Sequence, residues 1–507
     1  MSSWDYLIVT ASSARQAQAY EAQLRLRREL GLLPQVREWF VVADLEDRRM
    51  GSGGSTVYCL AQVIPPASPA CGRSLDVLRR LRILIVHAGG DSRRLPAYGP
   101  CGKIFVPVPA ETHTGLPATL FDLLVPEFLG LPQGTPGRGQ IVVASGDALV
   151  RFDASKVRLD RPGMTVLGSY AEPAEASRHG VYCLGADDSV TLYLQKPSVE
   201  EQKSAGAINA AGKAALDLGV MSLDAAAAAV LLDCFDARER ILRHGLDLYR
   251  EICCAMGTAA TVESYIRSAR GSGSTWSEEM LAAVYPALRG IPFHVQLVPD
   301  SRFLHFGSTR QLVESGLALV EQDRGTLAIN NSMSGGATIT GDDSWVEGCR
   351  LRAPLELAGW NVVVGVDVDE PLRLPREACL DVLRGRDRRG GAVWFVRCYG
   401  IRDLFKDSIA QGARFCSRPL LEWISAAGLT AEEVWPNQQD AERSLWNARV
   451  FPAEQTAGGF RRWLWMYAPE TAGEEEKRAF LSAERYSAAE IAVLADQEAF
   501  HVRRSAG

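Results

Sequence analysis

No apolar run in this sequence reaches the roughly eighteen residues of a membrane-spanning helix. The opening residues, Met1-Ser-Ser-Trp-Asp-Tyr6, offer neither a basic nor a hydrophobic leader, so a cytoplasmic protein without membrane attachment is expected. Cysteine is sparse: eleven are scattered through 507 residues, only Cys253 and Cys254 are adjacent, and there is no C-x-x-C pair. That spacing suggests neither a zinc site nor a disulfide framework, and buried free thiols are the expectation. Positive charge is not in excess, since 55 Lys and Arg stand against 61 Asp and Glu for a net charge of -6. Nothing therefore marks a surface for nucleic acid, and small molecules are the expected partners. What is there is ordinary for a globular chain, 47% hydrophobic and 23% charged, and long enough for two or three domains.

One stretch, Arg82 to Pro109, organises the rest. Ile83 to Val86 is a β-branched apolar run too short for a buried helix, and Gly89-Gly90 ends it, which reads as a buried strand entering a phosphate loop. The two glycines allow close backbone approach, while Ser92, Arg93, Arg94 and Lys103 add a hydroxyl and three cations. A polyphosphate is the ligand such a loop suits. The competing reading is a surface turn followed by basic residues on a solvated face.

Tyr6 to Thr10 reads as a strand, and the segment from Ser13 to Leu30 as a helix ended at Gly31. A second strand, Trp39 to Ala43, leads to a second glycine cluster, Gly51-Ser-Gly53-Gly54-Ser55-Thr56, which is either another phosphate nest or a flexible linker. A helix is predicted over Thr119 to Phe128 and a parallel strand over Ile141 to Ser145. That strand ends in Gly146-Asp147, placing a carboxylate where ligands collect in open α/β sheets, so Asp147 is the metal candidate unless it is a turn residue. Arg178 to Tyr182 and Val190 to Gln195 suggest a hairpin leading to Lys196; His179 alone reads equally as a structural histidine. An alanine-rich helix is predicted from Leu223 to Phe235. Asp247 and Glu251, four apart, would share a helix face, either as a second metal site or as a solvated face. From Ile339 onward Trp345, Leu351, Leu357 and Val363 recur every six residues, a period that points to a parallel β-helix of under two turns. Beyond Val393 the chain reads as helical and tryptophan-rich. Thr430 to Glu433 and Ser487 to Glu490 read as capping boxes, and Trp423, Trp435, Trp446, Trp463 and Trp465 as core or as a docking surface.

The string Gly89-Gly-Asp-Ser-Arg-Arg-Leu-Pro96 with Gly102-Lys-Ile-Phe105 resembles the signature of fucose-1-phosphate guanylyltransferases, found alone and as the N-terminal half of bifunctional fucokinase/GDP-fucose pyrophosphorylases. The resemblance covers nearly the whole chain, from Trp4-Asp-Tyr6 through Ser444 to Pro452 and on to Glu484-Arg-Tyr486. It implies an α/β chain with a Rossmann-like nucleotidyltransferase domain at 1–310, a short parallel β-helix at 311–395 and a helical C-terminal region at 396–507. It implies GTP and L-fucose 1-phosphate as substrates and Mg²⁺ as cofactor. Arg94 with Arg93 would hold the β and γ phosphates, Lys103 the nucleotide side and Lys196 the sugar phosphate. Gly51, Gly53, Gly54, Ser55, Thr56, Gly89, Gly90 and Ser92 would bind nucleotide, with the choice of glycine loop for the triphosphate left open. His179, Gly180 and Gly219 would line the sugar, and Asp147 and Asp247 would bind metal. The ATP loop of the sugar kinase found in bifunctional relatives is missing, so no second activity is expected, though a homo-oligomer or a partner kinase domain is. The alternatives are a non-catalytic lobe of a kinase system, a transferase for another sugar 1-phosphate, and an acyltransferase, which would need many more six-residue repeats.

Overall fold

The computed structural model describes residues 3–64, 71–90, 92–235, 241 and 243–505. Asp91 of the glycine loop lies outside the described residues. Two compact units form, Met1–Gly89 with Leu124–Phe303, and Gly90–Leu123 with Leu304–Gly507. The sequence boundary expected at 310 thus contrasts with a first unit that lacks the cationic stretch after Gly90.

In the first unit, apolar runs bounded by polar caps build a mixed sheet. Trp4–Ala11 is β1, and the Ser13 hydroxyl accepts the Gln16 N–H to start α1, Ala14–Glu29. The remaining strands are β2 (Val36–Ala43), β3 (Arg82–His87), β4 (Gln140–Ser145), β5 (Ala148–Arg151), β6 (Met164–Ala171), β7 (Gly180–Leu184), β8 (Val190–Gln195), β9 (Ala214–Leu223) and β10 (Phe293–Leu297). The main sheet runs β10-β6-β9-β4-β3-β1-β2, with the hairpin β7–β8 joined to β9. β2, β1, β3 and β4 are parallel, with Tyr6 opposite Ile83 and Ile83 opposite Ile141. Ile83 to Val86 are fully buried, as a parallel strand covered on both faces requires. Each such side chain contributes about 1.5–3 kcal/mol through burial, and Ile85→Ala should cost about 2–5 kcal/mol. Parallel pairing brings the C-terminal ends of β1, β3 and β4 to one edge, and antiparallel β9, with Val220 opposite Ala144, delivers Asp217 to Gly219 to the same edge.

The second glycine cluster is not a linker. It forms the first turn of α2, Gly51–Val63, and its glycines admit a neighbouring segment. A Cβ on Gly51 would stand 2.4 Å from the Leu246 carbonyl oxygen, and one on Gly54 2.7 Å from an Ile241 methyl. Composition could not distinguish these roles, because the partner segment is nearly two hundred residues away.

In the second unit the chain visits three parallel sheets in turn. Thr326–Ile329, Ser344–Glu347 and Val362–Val364 stack in one, Ser332–Met333, Arg350–Leu351 and Asp367–Val368 in the next, and Ile339–Thr340, Leu355–Leu357 and Leu372–Leu374 in the third. The six-residue period lands on successive strands, because Ile339, Trp345, Leu351, Leu357 and Val363 each belong to the next sheet. The coil begins earlier than the period showed, at Thr326, and Ala378–Arg386 extends the first sheet. The residues past Val393 are not uniformly helical. Ala392–Gly400 is a strand antiparallel to Ala378–Arg386, and Phe451–Glu454 pairs with it, because the β-branched and aromatic run Val393 to Val396 suits a half-buried pleat. The tryptophans form core: Trp423, Trp435 and Trp463 are at most 1% exposed, and their indole N–H groups donate to Met466, Ser444 and Glu454. Among the described residues no helix is long and apolar enough to cross a membrane, and ten cysteines are free thiols, nine of them buried.

Candidate functional site

The sheet edge of the first unit gathers the polar groups that an open α/β sheet presents to a ligand. The Thr10 hydroxyl, one residue before the end of β1, accepts the N–H groups of Ala88 at 3.1 Å and Gly89 at 3.2 Å, while Tyr20 donates to the Ala88 carbonyl. The Gly89 N–H is therefore spent inside the protein, and Gly90, with φ +134° and open space where a Cβ would stand, turns the chain. His87 closes β3 with Nε2 3.0 Å from the Thr56 hydroxyl, and burial pushes its pKa down to about 4. An uncharged imidazole thus caps the strand at neutral pH.

Asp147 leaves β4 with one carboxylate oxygen accepting the Ser145 hydroxyl at 2.9 Å. On β9, at the same sheet edge, Asp217 is 6% exposed and accepts the Gly219 N–H at 2.8 Å, yet burial raises its pKa to about 6. Gly219 adopts φ +72°, and a Cβ there would lie 3.3 Å from Ser145 Cβ, so glycine lets β9 approach β4 with its carboxylate beside the strand end. The Tyr249 phenol is pushed well above its ordinary pKa by burial first, then by the charges of Asp217, Cys253, Asp247 and Asp147. Tyr249 stacks on Tyr193, and Tyr193 packs against Tyr182, giving the cluster an aromatic floor.

Asp247 does not share a helix face with Glu251. It precedes the turn Leu248–Cys253 and caps it, accepting the N–H groups of Tyr249 and Arg250 with one oxygen and the Ser52 hydroxyl with the other. The buried Glu251 accepts the Asp247 N–H and the Arg250 guanidinium. Four-residue spacing here serves reciprocal capping, because the first turn of a helix leaves its own N–H groups unpaired. Ser55 is engaged by Asp44 and Thr56 by His87. Gly180 fits beneath Tyr193, whose hydroxyl would be 2.0 Å from a Cβ there. The His179 ring meets Phe303 edge-on, and its carbonyl accepts the N–H of Lys196, an exposed residue at φ +50°.

Ser92, Arg93, Arg94 and Lys103 belong to the second unit. Ser92 is buried at φ +53°, Arg93 lies 5.6 Å from the Trp446 ring centroid, and the Arg94 carbonyl accepts the Thr309 N–H at 2.9 Å. The structure thus brings Gly89, Asp147 and Gly219 to one sheet edge, divides the expected set between the units, and adds His87, Asp217 and Tyr249, which sequence reasoning had not singled out. A signal for Asp217 existed: it is the one carboxylate in the otherwise apolar run Ala214 to Met221.

Among the described residues no three His, Cys, Asp or Glu side chains form a closed metal cage. The donor chemistry at the edge fits a hard cation nonetheless. Mg²⁺ takes one or two carboxylates together with phosphate oxygens, and Asp147 and the buried Asp217 can supply those.

The sequence profile described as the fucose pyrophosphorylase domain matches residues 75–456, and the chain belongs to that family. Relatives include the bifunctional fucokinase/GDP-fucose pyrophosphorylase of Arabidopsis thaliana, 26% identical across 96% of this chain and 50% of that protein. The L-fucokinase/L-fucose-1-P guanylyltransferase of Bacteroides fragilis is 26% identical across 92% of this chain and 48% of its own length. The fucose-1-phosphate guanylyltransferase of Mus musculus is 25% identical across 89% and 83% respectively. The chain spans about half the length of the first two relatives.

Proposed function

We propose that this chain transfers a guanylyl group from GTP to L-fucose 1-phosphate, giving GDP-L-fucose and pyrophosphate. The observation that supports this most is the family match over residues 75–456, which includes Gly89, Gly90, Arg94, Lys103, Asp147 and Lys196. An oxygen of the sugar phosphate attacks the α-phosphorus, a new P–O bond forms as the bond to the β-phosphate oxygen breaks, and pyrophosphate leaves with the electron pair. No enzyme nucleophile is needed, so catalysis is positioning plus charge neutralisation. Arg94, with Arg93, neutralises the β and γ phosphates and the leaving group; Lys103 serves the nucleotide, and Lys196 the sugar phosphate. His179, Gly180 and Gly219 serve the sugar.

Asp147, with Asp217 from the same sheet edge, would hold Mg²⁺, which supplies positive charge at the triphosphate. Asp247 spends both its oxygens on capping and on Ser52 and is the weaker ligand. In this reading the sheet of the first unit is a Rossmann-like nucleotidyltransferase fold, and the three-sheet coil is a short β-helix serving packing. Incubation with GTP, Mg²⁺ and fucose 1-phosphate should release pyrophosphate and form GDP-fucose. Release with another sugar 1-phosphate alone would move the substrate, and silence with every sugar phosphate and nucleotide would remove the activity.

A further inference from the structure

Two ion pairs in the second unit are withdrawn from water, where charge is costly unless its geometry serves a purpose. Arg397, 2% exposed, donates Nε–H to Asp381 Oδ1 at 2.7 Å, and its Nη2 donates to the Pro96 carbonyl at 2.8 Å. Arg504, 5% exposed, donates Nη2–H to Glu347 Oε2 at 2.6 Å. The same Glu347 oxygen accepts the Tyr98 hydroxyl at 3.2 Å, and the Tyr98 oxygen accepts the Trp345 indole N–H at 2.7 Å. Pro96–Tyr98 is a single 3-10 turn between Arg94 and Lys103. Both its ends are therefore tied to buried charges, one from the strand Ala392–Gly400 and one from the C-terminal helix Gln497–Ser505. A neutral apolar contact would hold the turn without fixing its direction, whereas a guanidinium and a carboxylate each accept few geometries.

We propose that Arg397 and Arg504 are positioning residues that set the course of the cationic stretch Arg93–Lys103, Arg397 through the Pro96 carbonyl and Arg504 through Glu347 and the Tyr98 hydroxyl. The idea rests on the reading of that stretch as the holder of the triphosphate. Arg504 thereby gives the C-terminal helix a part in binding nucleotide without touching it.

The test is amide hydrogen exchange on the full chain, read by mass spectrometry, together with GTP kinetics, for Tyr98→Phe and Arg504→Met. Tyr98→Phe keeps the ring packed against Phe500 and removes the link to Glu347 together with the acceptor of the Trp345 indole N–H. Exchange over residues 92–106 should quicken about tenfold while strands 355–357 and 372–374 stay protected. KM for GTP should rise about tenfold, with KM for fucose 1-phosphate unchanged. Unchanged exchange in 92–106, or acceleration spread equally over those strands, would overturn the proposal by showing an ordinary stabilising role. If Arg504→Met does not fold, Tyr98→Phe decides alone, and failure of that variant to fold would also count against positioning. Should the parent chain show no transfer, the proposed function fails while the exchange comparison still judges the positioning.

Discussion

At the sheet edge of the first unit, carboxylates are held by neutral donors: Ser145 on Asp147, the Gly219 N–H on Asp217, and backbone N–H groups with Ser52 on Asp247. In the second unit the turn inside the basic stretch is held by full charges, Asp381–Arg397 and Glu347–Arg504, each pair almost completely buried. The chemistry differs because the tasks differ. Hydrogen bonds from neutral dipoles stabilise the charged form of a carboxylate, the form that a cation would bind in the proposed function. A turn that carries cations needs direction, which paired charges fix at the cost of desolvation.

The sharpest break of this contrast is Arg397→Ala, which leaves Asp381 buried without its cation. It should cost about 3–5 kcal/mol in denaturant unfolding, and a loss below 1 kcal/mol would show that the pair holds nothing. On the chemical side, Lys103→Ala removes one placed charge and should lose about 3 kcal/mol of transition-state stabilisation, roughly a hundredfold in kcat/KM. Unaltered turnover in the folded variant would take Lys103 out of the site. Asp147→Asn keeps the size and one oxygen, so activity at limiting Mg²⁺ should fall by orders of magnitude while Tm barely moves; a turn aspartate would leave both nearly silent.

The smallest effect concerns Asp217. Its folded pKa of about 6 lies above the ordinary 3.8, so the folded state binds the proton more tightly. The stability this contributes is complete below about pH 4 and is lost as pH rises through 6. Asp217→Asn has no such loss, so its Tm relative to the parent should climb between pH 4 and pH 7. A gap independent of pH would mean that Asp217 is solvated.

Much of this was legible in the chain. The strand Ile83 to Val86, the hairpin before Lys196 and the six-residue period were visible because each depends on local alternation or repetition, and the structure has strands at all three places. The role of the Gly51 cluster was not, because what presses on those glycines is Leu246 and Ile241, which no local pattern names. The buried charges left a trace that could have been followed. Glu347 after Trp345-Val346, Asp381 between Leu380 and Val382, and Arg397 between Val396 and Cys398 each interrupt an apolar strand, as Asp217 does. A charge at an inward strand position has to be matched by something, and here the match is an oppositely charged side chain for Glu347, Asp381 and Arg397 and the Gly219 N–H for Asp217.

The central claim is a single displacement at the α-phosphorus, with charge placed by the protein and no covalent enzyme intermediate. It is tested most directly by the stereochemical course of transfer from GTP made chiral at the α-phosphorus with one sulfur and one isotopically labelled oxygen. The account predicts inversion of configuration in the GDP-fucose formed; retention would reveal two successive displacements and contradict it.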